Sequence, residues 1–491
     1  MTNDSKTMEN GSESSRLIPL EPIDQWVPIN NVRSILFMVI REILNEEAMR
    51  DALGHLIRDH LPILGARLEA NSTNGDLAYR LPDSFTADYK LFQWSNQIVD
   101  SSLAAANLLP ESPQADSGPF YGPWSVPELE DKWTPSTWPK ERKFEEPDTP
   151  LLLVHIVKYT DATVVTLSLP HAVSDQMGFA SLITAWLQII KGETPAEFLQ
   201  LRPGALDGPK LSKKELRRKG TYRIMNNLEK TRYIMGLLPD LILNPEETRR
   251  MLFLPVKLVE SLRDRHTQAL KSEFGEDTVP LTSGDIVTAL LTKFANYGRK
   301  SSQKVSLSTA MNGRGRHPAL PADKPYLHNC ICHIVQQSPN PNKVSLGKLA
   351  YQHRLAVLEG MQLESIERNL AVTKKLYNRK RMLQVTEPGN LGYACTNWCG
   401  AWRNIDFGPA VVTKEDASAN GGAVNASAIN GCVTARPLVL GHSLNRDHPT
   451  RYNVQVMCKA DGGFWCDFTV STKTAARLDK LFESDPSLSS L

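Results

Sequence analysis

The sequence predicts an α/β (α+β) protein with two cores built from mixed strands and helices. Apolar, β-branched runs follow one another at residues 152–159 and 163–169, as neighbouring strands of one sheet would. Other apolar residues recur at helical spacing, at Met49, Leu53, Leu56, Ile57 and Leu61 and again at Phe179, Leu182, Ile183, Trp186, Leu187 and Ile190. The chain has 491 residues. At about 150 residues per domain, that length suits two to three domains with sizeable cores.

In chain order, residues 1–16 form a polar, Ser/Glu/Asn-rich tail expected to be disordered. Residues 33–43 are rich in Ile, Leu, Val and Phe and read as a buried strand. Asn45 then caps a helix with Glu46 and Glu47 in its first turn, and Pro62 closes it. Residues 109–150 are rich in Pro, Ser and Trp and read as a long irregular wrap. The runs 152–159 and 163–169 form a hairpin around residues 160–162, and Pro170 ends its second strand. A helix follows from Met177 to a stop at Gly192. Residues 170–177 therefore occupy a strand-to-helix turn, a common place for functional side chains.

Residues 203–245 read as a crossover between an N-terminal domain, 17–202, and a C-terminal domain, 246–491. The crossover carries Lys210, Lys213, Lys214, Arg217, Arg218 and Lys219. A solvated basic linker is one reading of that run, and contact with a phosphorylated cofactor is the other. In the second domain Thr282 or Ser283 caps a helix through Ile286, Leu290, Leu291 and Phe294, and residues 305–309 alternate like a strand. Residues 415–433, rich in Gly, Ala, Ser and Asn, read as a flexible surface loop. Residues 452–457 and 464–470 read as a closing strand pair.

Composition narrows the function classes. Hydrophobic residues at 41% and charged residues at 22% describe an ordinary globular chain. The formal net charge of +2 gives no electrostatic reason to expect nucleic acid or a membrane as partner. Seven cysteines, an odd number at low density, fit free thiols in a reducing compartment. No signal-peptide-like stretch is visible, so a cytoplasmic location is expected.

Several chemical signatures are missing. The chain has no G-x-x-x-x-G-K-[ST] phosphate loop and no G-x-S-x-G nucleophile elbow. Cys330-Ile-Cys332-His333 and the Cys395/Cys399 pair lack paired zinc spacing, so no metal is expected. What remains is His171-Ala-Val-Ser-Asp175 in the strand-to-helix turn. His-x-x-x-Asp alone is a poor motif, since composition supplies about half an occurrence by chance in such a chain. A second copy, His55 to Asp59, lies on or beside the polar face of the first helix, where no chemistry is expected. Context favours His171, whose ring can project from a rigid strand end into a cleft. Asp175 is placed to cap the next helix, to orient the imidazole, or to pair with an arginine.

Residues 168–179 (SLPHAVSDQMGF) resemble the His-x-x-x-Asp-Gly segment of the BAHD acyltransferases, especially their fungal, trichothecene 3-O-acetyltransferase-like branch. Other segments agree in the same order. Residues 54–68 (GHLIRDHLPILGARL) are similar to the family's early fP-x-LaGR helix end, and residues 311–329 (MNGRGRHPALPADKPYLHN) resemble its N-x-R-x-R block. Thr396-Asn-Trp398 followed by Asp406-Phe407-Gly408 resembles T-S-W…D-F-G-W-G. Gln176 departs from the usual Gly, with Gly178 two residues on, and Pro409-Ala410 replaces the end of D-F-G-W-G, as a fungal-type variant would.

The resemblance implies two chloramphenicol-acetyltransferase-like domains with a channel between them. It implies acyl-CoA, acetyl-CoA first, as co-substrate with no tightly bound cofactor, and a small-molecule alcohol as acceptor. It casts His171 as general base, Thr396 and Trp398 as oxyanion stabilisers, and Asp175 as structural partner of Arg314, with Arg316 the alternative. Asp406 is given a structural role remote from the chemistry. The expected activity is O-acylation of a secondary metabolite by a monomer through a ternary complex. N-acylation of an amine and a non-catalytic binder on the same fold are the alternatives.

Overall fold

Residues 33–40 (RSILFMVI) are buried along their whole length, so this run must be a strand covered on both faces. A computed structural model describes residues 14–110, 118–379, 386–412, 434–443 and 449–491, and places that run inside a sheet, with a strand paired on either side. The first half of the chain supplies β1 (Ser15–Pro19), β2 (Arg33–Ile40), β3 (Arg67–Ala70), β4 (Leu77–Pro82), β5 (Gln93–Ile98), β6 (Phe120–Tyr121), β7 (Leu153–Lys158) and β8 (Thr163–Pro170). Among them lie α1 (Glu46–His55), α2 (Val126–Trp133) and α3 (Gln176–Ile190). After α4 (Asn227–Leu243) come β9 (Glu247–Pro255), α5 (Val256–Phe274), α6 (Ser283–Ala295), β10 (Val305–Asn312), β11 (Ile331–Ser338), α7 (Leu346–Gly360) and α8 (Leu363–Tyr377). The chain continues through β12 (Leu391–Asn397), β13 (Leu438–His442), β14 (Asn453–Ala460), β15 (Gly463–Ser471) and α9 (Thr472–Ser484).

A five-stranded sheet has the order β13-β2-β8-β7-β5, and a seven-stranded sheet the order β11-β10-β12-β14-β15-β9-β6. A small sheet, β1-β4-β3, flanks them. In the five-stranded sheet β7 and β8 pair antiparallel from Lys158↔Thr163, and β2 pairs with β8 on its other side. Helices α1 and α3 cover this sheet, joined where the Trp186 indole N–H donates to the Met49 carbonyl at 2.8 Å. A second apolar cluster packs the seven-stranded sheet against α5, α6, α7 and α9. Each cluster removes long rows of Leu, Val, Ile and Phe from water, which is the main favourable term in folding.

Each sheet borrows a strand across the 203–245 division. The late strand β13 closes the five-stranded sheet by pairing Leu438–His442 with β2, and the early strand β6 pairs with β9 at the edge of the seven-stranded sheet. The split into 17–202 and 246–491 therefore does not follow sheet membership. The expectation of an irregular wrap over 109–150 needs correction. Within 109–150 the chain forms α2, because Ser125 and Glu128 make a reciprocal capping box and Val126, Leu129 and Trp133 share a buried face. Within the crossover it forms α4, capped by Asn226 and Glu229. Ser15 and Arg16 lie in β1 rather than in a tail, while residues 1–13 and the loop 415–433 lie outside the described residues.

Candidate active site

The strand-to-helix turn is held by its backbone before any side chain is considered. The His171 N–H donates to the Val32 carbonyl at 2.8 Å, and the Val173 N–H to the Pro170 carbonyl at 2.8 Å. A segment from the second half, residues 326–329, presses on the turn. The Ser174 hydroxyl donates to the Leu327 carbonyl at 2.6 Å, and the Asn329 side-chain amide donates to the His171 carbonyl at 2.9 Å. The contact is so close that a Cβ on Gly178 would lie 1.8 Å from the Leu327 oxygen. Only glycine fits there.

Asp175 caps α3 and ties the two halves together. Its Oδ1 accepts from the N–H groups of Met177 at 3.0 Å and Gly178 at 2.9 Å. Its Oδ2 accepts from Arg314 Nη1 at 2.9 Å and from the Cys330 N–H at 2.8 Å. Burial works against the charged carboxylate. The Arg314 charge and these hydrogen bonds outweigh it and hold the pKa below the ordinary range. Arg314 is held in turn by the Asn312 side chain at 3.1 Å, by the carbonyls of Tyr326 and His328, and by the Tyr326 ring beneath it. Arg316 instead donates to the Asn312 carbonyl at 2.9 Å.

His171 is 8% exposed and lines a cavity of about 560 Å³. Its Nδ1 is buried, and burial pushes the imidazole below its ordinary pKa. Hydrogen bonding to its own backbone, the Asp175 charge and the Asn329 side chain oppose that shift without reversing it. The cavity draws walls from both halves of the chain. Trp26 to Val32, His171 and Met177 face residues from β10, β11, β12 and β14. Along β12 buried and half-buried residues alternate, which places Ala394 and Thr396 on the cavity side, and Trp398 follows just beyond the strand. His171, Thr396 and Trp398 thus line one cavity. Asp406 does not line it. Its Oδ1 accepts from the Gly408 N–H at 2.9 Å and the Ala435 N–H at 2.7 Å, closing a turn beside the buried Phe407.

No protein-family model matches the chain. An acetyltransferase of Pyricularia grisea named pyiB is 27% identical over 426 residues, covering 83% of this chain and 83% of that protein. The acetyltransferase adrJ of Penicillium rubens is 25% identical over 425 residues, covering 81% and 85%. A protein of Penicillium decumbens named transcriptional regulator calD is 24% identical over 435 residues, covering 81% and 82%. Among solved structures, TRI101 of F. graminearum complexed with coenzyme A and deoxynivalenol matches with a TM-score of 0.66 at 13% identity, covering 95% of this chain and 97% of that one. Vinorine synthase matches with a TM-score of 0.56 at 14% identity, covering 96% and 98%. The chain is an acyltransferase with the fold of TRI101 and vinorine synthase.

This acyltransferase brings together residues that its sequence left unassigned. Asp24 is buried beneath the turn. Its Oδ1 accepts from the Asn329 N–H at 2.9 Å and from the same Asn329 side chain, at 2.8 Å, that holds the His171 carbonyl. Burial raises Asp24 to about 7, against the Asn329 hydrogen bonds and with the Asp175 and Glu21 charges adding. Gln176, in place of the usual glycine, donates to Ser443 at 2.9 Å and joins the cavity wall. His333 also lines the cavity, between the rings of Trp26 and Tyr222, and burial lowers it to about 4. A group that acidic is a poor base at neutral pH, which leaves His171 the better placed of the two imidazoles. The His55–Asp59 pair is an exposed contact of 3.2 Å on the surface. Among the described residues no cluster of His, Cys, Asp or Glu side chains could hold a metal ion, and the six described cysteines are free thiols. No described helix is long and apolar enough to cross a membrane.

Proposed function

We propose that this acyltransferase moves an acyl group, acetyl first, from a coenzyme A thioester to a hydroxyl of a neutral, largely apolar small molecule. The observation that carries the reading is a buried imidazole, biased toward its neutral form, in one cavity with the Thr396 hydroxyl and the Trp398 indole. With Nδ1 buried, Nε2 of His171 takes the acceptor's hydroxyl proton as the oxygen attacks the thioester carbonyl. The Thr396 hydroxyl and Trp398 indole N–H donate to the oxyanion that forms, each worth of the order of 3 kcal/mol. The intermediate collapses, the C–S bond breaks, and the imidazolium returns its proton to the departing thiolate. No covalent acyl-enzyme forms, and the transfer runs directly between the two bound substrates.

The cavity favours an alcohol over an amine. Among its described lining residues the one carboxylate is Asp175, already committed to four hydrogen bonds. The other polar groups are neutral amides, hydroxyls, indoles and a thiol, and two imidazoles biased toward the neutral form. An aliphatic amine enters as an ammonium and would be stripped of water with no counter-charge. The bound molecules in the TRI101 structures, coenzyme A with deoxynivalenol or T-2 mycotoxin, support the same substrate classes. A non-catalytic binder is the second reading, favoured by similarity to a protein named a transcriptional regulator.

A thiol-release assay with a panel of acyl-CoAs, run against alcohols and amines of matched skeleton, separates these readings. The expected result is thiol release that depends on the alcohol, with a product heavier by the acyl group. Faster turnover of the matched amines would make the enzyme an N-acyltransferase. No release with any pair, alongside a melting-temperature rise with the small molecule alone, would make the protein a binder.

A further inference from the structure

Helix α4 turns its apolar side outward. Leu228, Met235 and Ile242 are 62%, 61% and 73% exposed. Their seven-residue spacing sets them in one line along the helix. Its acidic residues point inward: Glu229 meets Arg223 at 3.0 Å, and Asp240 accepts from Arg451 at 3.1 Å and Tyr452 at 2.7 Å. Gly236, its one buried residue, packs on the backbone of Gly389 and Asn390. The exposed positions of the helix carry no carboxylate and one cation, Arg232. A surface helix of a globular protein normally has the opposite arrangement.

The exposed cations Lys210, Lys213, Lys214, Arg217, Arg218 and Lys219 lie just ahead of it. Glu387 fixes the end of that run to the start of the helix. It accepts from the Gly220 N–H at 2.9 Å and from Arg223 at 2.8 Å, and Arg223 reaches Glu229 in the first turn of α4. A cationic segment and an outward apolar stripe therefore adjoin. The net charge of +2 conceals this asymmetry, because it averages over the whole chain.

We propose that α4 and residues 210–219 dock this acyltransferase on an anionic lipid bilayer. The helix lies flat, its stripe entering the boundary between headgroups and acyl chains while the cations face the anionic headgroups. Membrane contact, which composition alone argued against, is thereby assigned to one local surface.

Flotation of the full chain with vesicles tests this, using phosphatidylcholine alone and phosphatidylcholine mixed with phosphatidylserine, at low and high salt. The protein should float with the anionic vesicles and be released by salt. Met235→Glu combined with Ile242→Glu should lower vesicle partitioning by about an order of magnitude while acyl transfer in solution is unchanged. Lys213→Glu with Lys214→Glu should lower it as well. No binding to anionic vesicles, or equal binding by the stripe variant, overturns the proposal. So does a wild-type dimer that the stripe variant dissociates without any vesicle binding, since the face would then join two copies. A raised KM for acetyl-CoA in the lysine variant, with vesicle binding intact, would assign the cations to the thioester's phosphates instead.

Discussion

His171→Ala should lose about 10²–10⁴-fold in acyl transfer, the range for removing a positioned general base, and should remain folded. Folding survives because the turn is held by main-chain atoms that alanine keeps. The residue-171 N–H still donates to Val32, and its carbonyl still accepts from Asn329. The imidazole side chain itself borders a cavity, so its loss enlarges an existing space rather than opening a hole in packed core. Thiol release, read beside circular dichroism and melting temperature, checks both halves of the prediction. Near wild-type turnover would remove His171 from the mechanism.

Asp175→Ala should cost about 3–5 kcal/mol of stability, because it leaves the Arg314 guanidinium as an uncompensated buried charge. It also strips the N–H groups of Met177, Gly178 and Cys330 of their acceptor. Arg314→Ala should cost less, since the Asp175 carboxylate keeps those three backbone donors. The double variant should cost less than the two single losses together, since each single change exposes the other partner's desolvation. Denaturant unfolding of the four proteins measures this, and activity should fall with stability. Asp175→Asn with an unchanged melting temperature and lost turnover would instead put this carboxylate in the chemistry.

Whether a feature could be read from the sequence depended on how local its cause was. The His171 turn was legible because a β-branched run, a proline and an amphipathic helix stand consecutively in the chain. The cap at Asn45 was legible for the same reason, needing only the next three residues, while at Thr282 or Ser283 the sequence left two candidates and the structure places the cap at Thr282. Strand β13 was not. Leu438–His442 is short, and its place is set by β2, some four hundred residues away. Helix α2 escaped notice because the prolines and tryptophans around it dominate the composition, although its capping box was there to find. Asp24 carries no motif, and only the packing of residues 326–329 over the turn connects it to His171. Helix α4 shows the reverse problem: its apolar period is ordinary, and only the structure tells that the stripe faces out.

The pH dependence of kcat/KM tests the role of His171 most directly, because it reports the free enzyme's essential base. In the proposed mechanism the base is the neutral imidazole, and burial lowers its pKa, so the neutral form persists to lower pH than for an exposed histidine. The wild type should be flat near neutrality and fall on an acid limb with its midpoint below about 6.5, the ordinary histidine value. That limb should be missing from the residual activity of His171→Ala. The same acid limb in the alanine variant would contradict the assignment of His171 as the base.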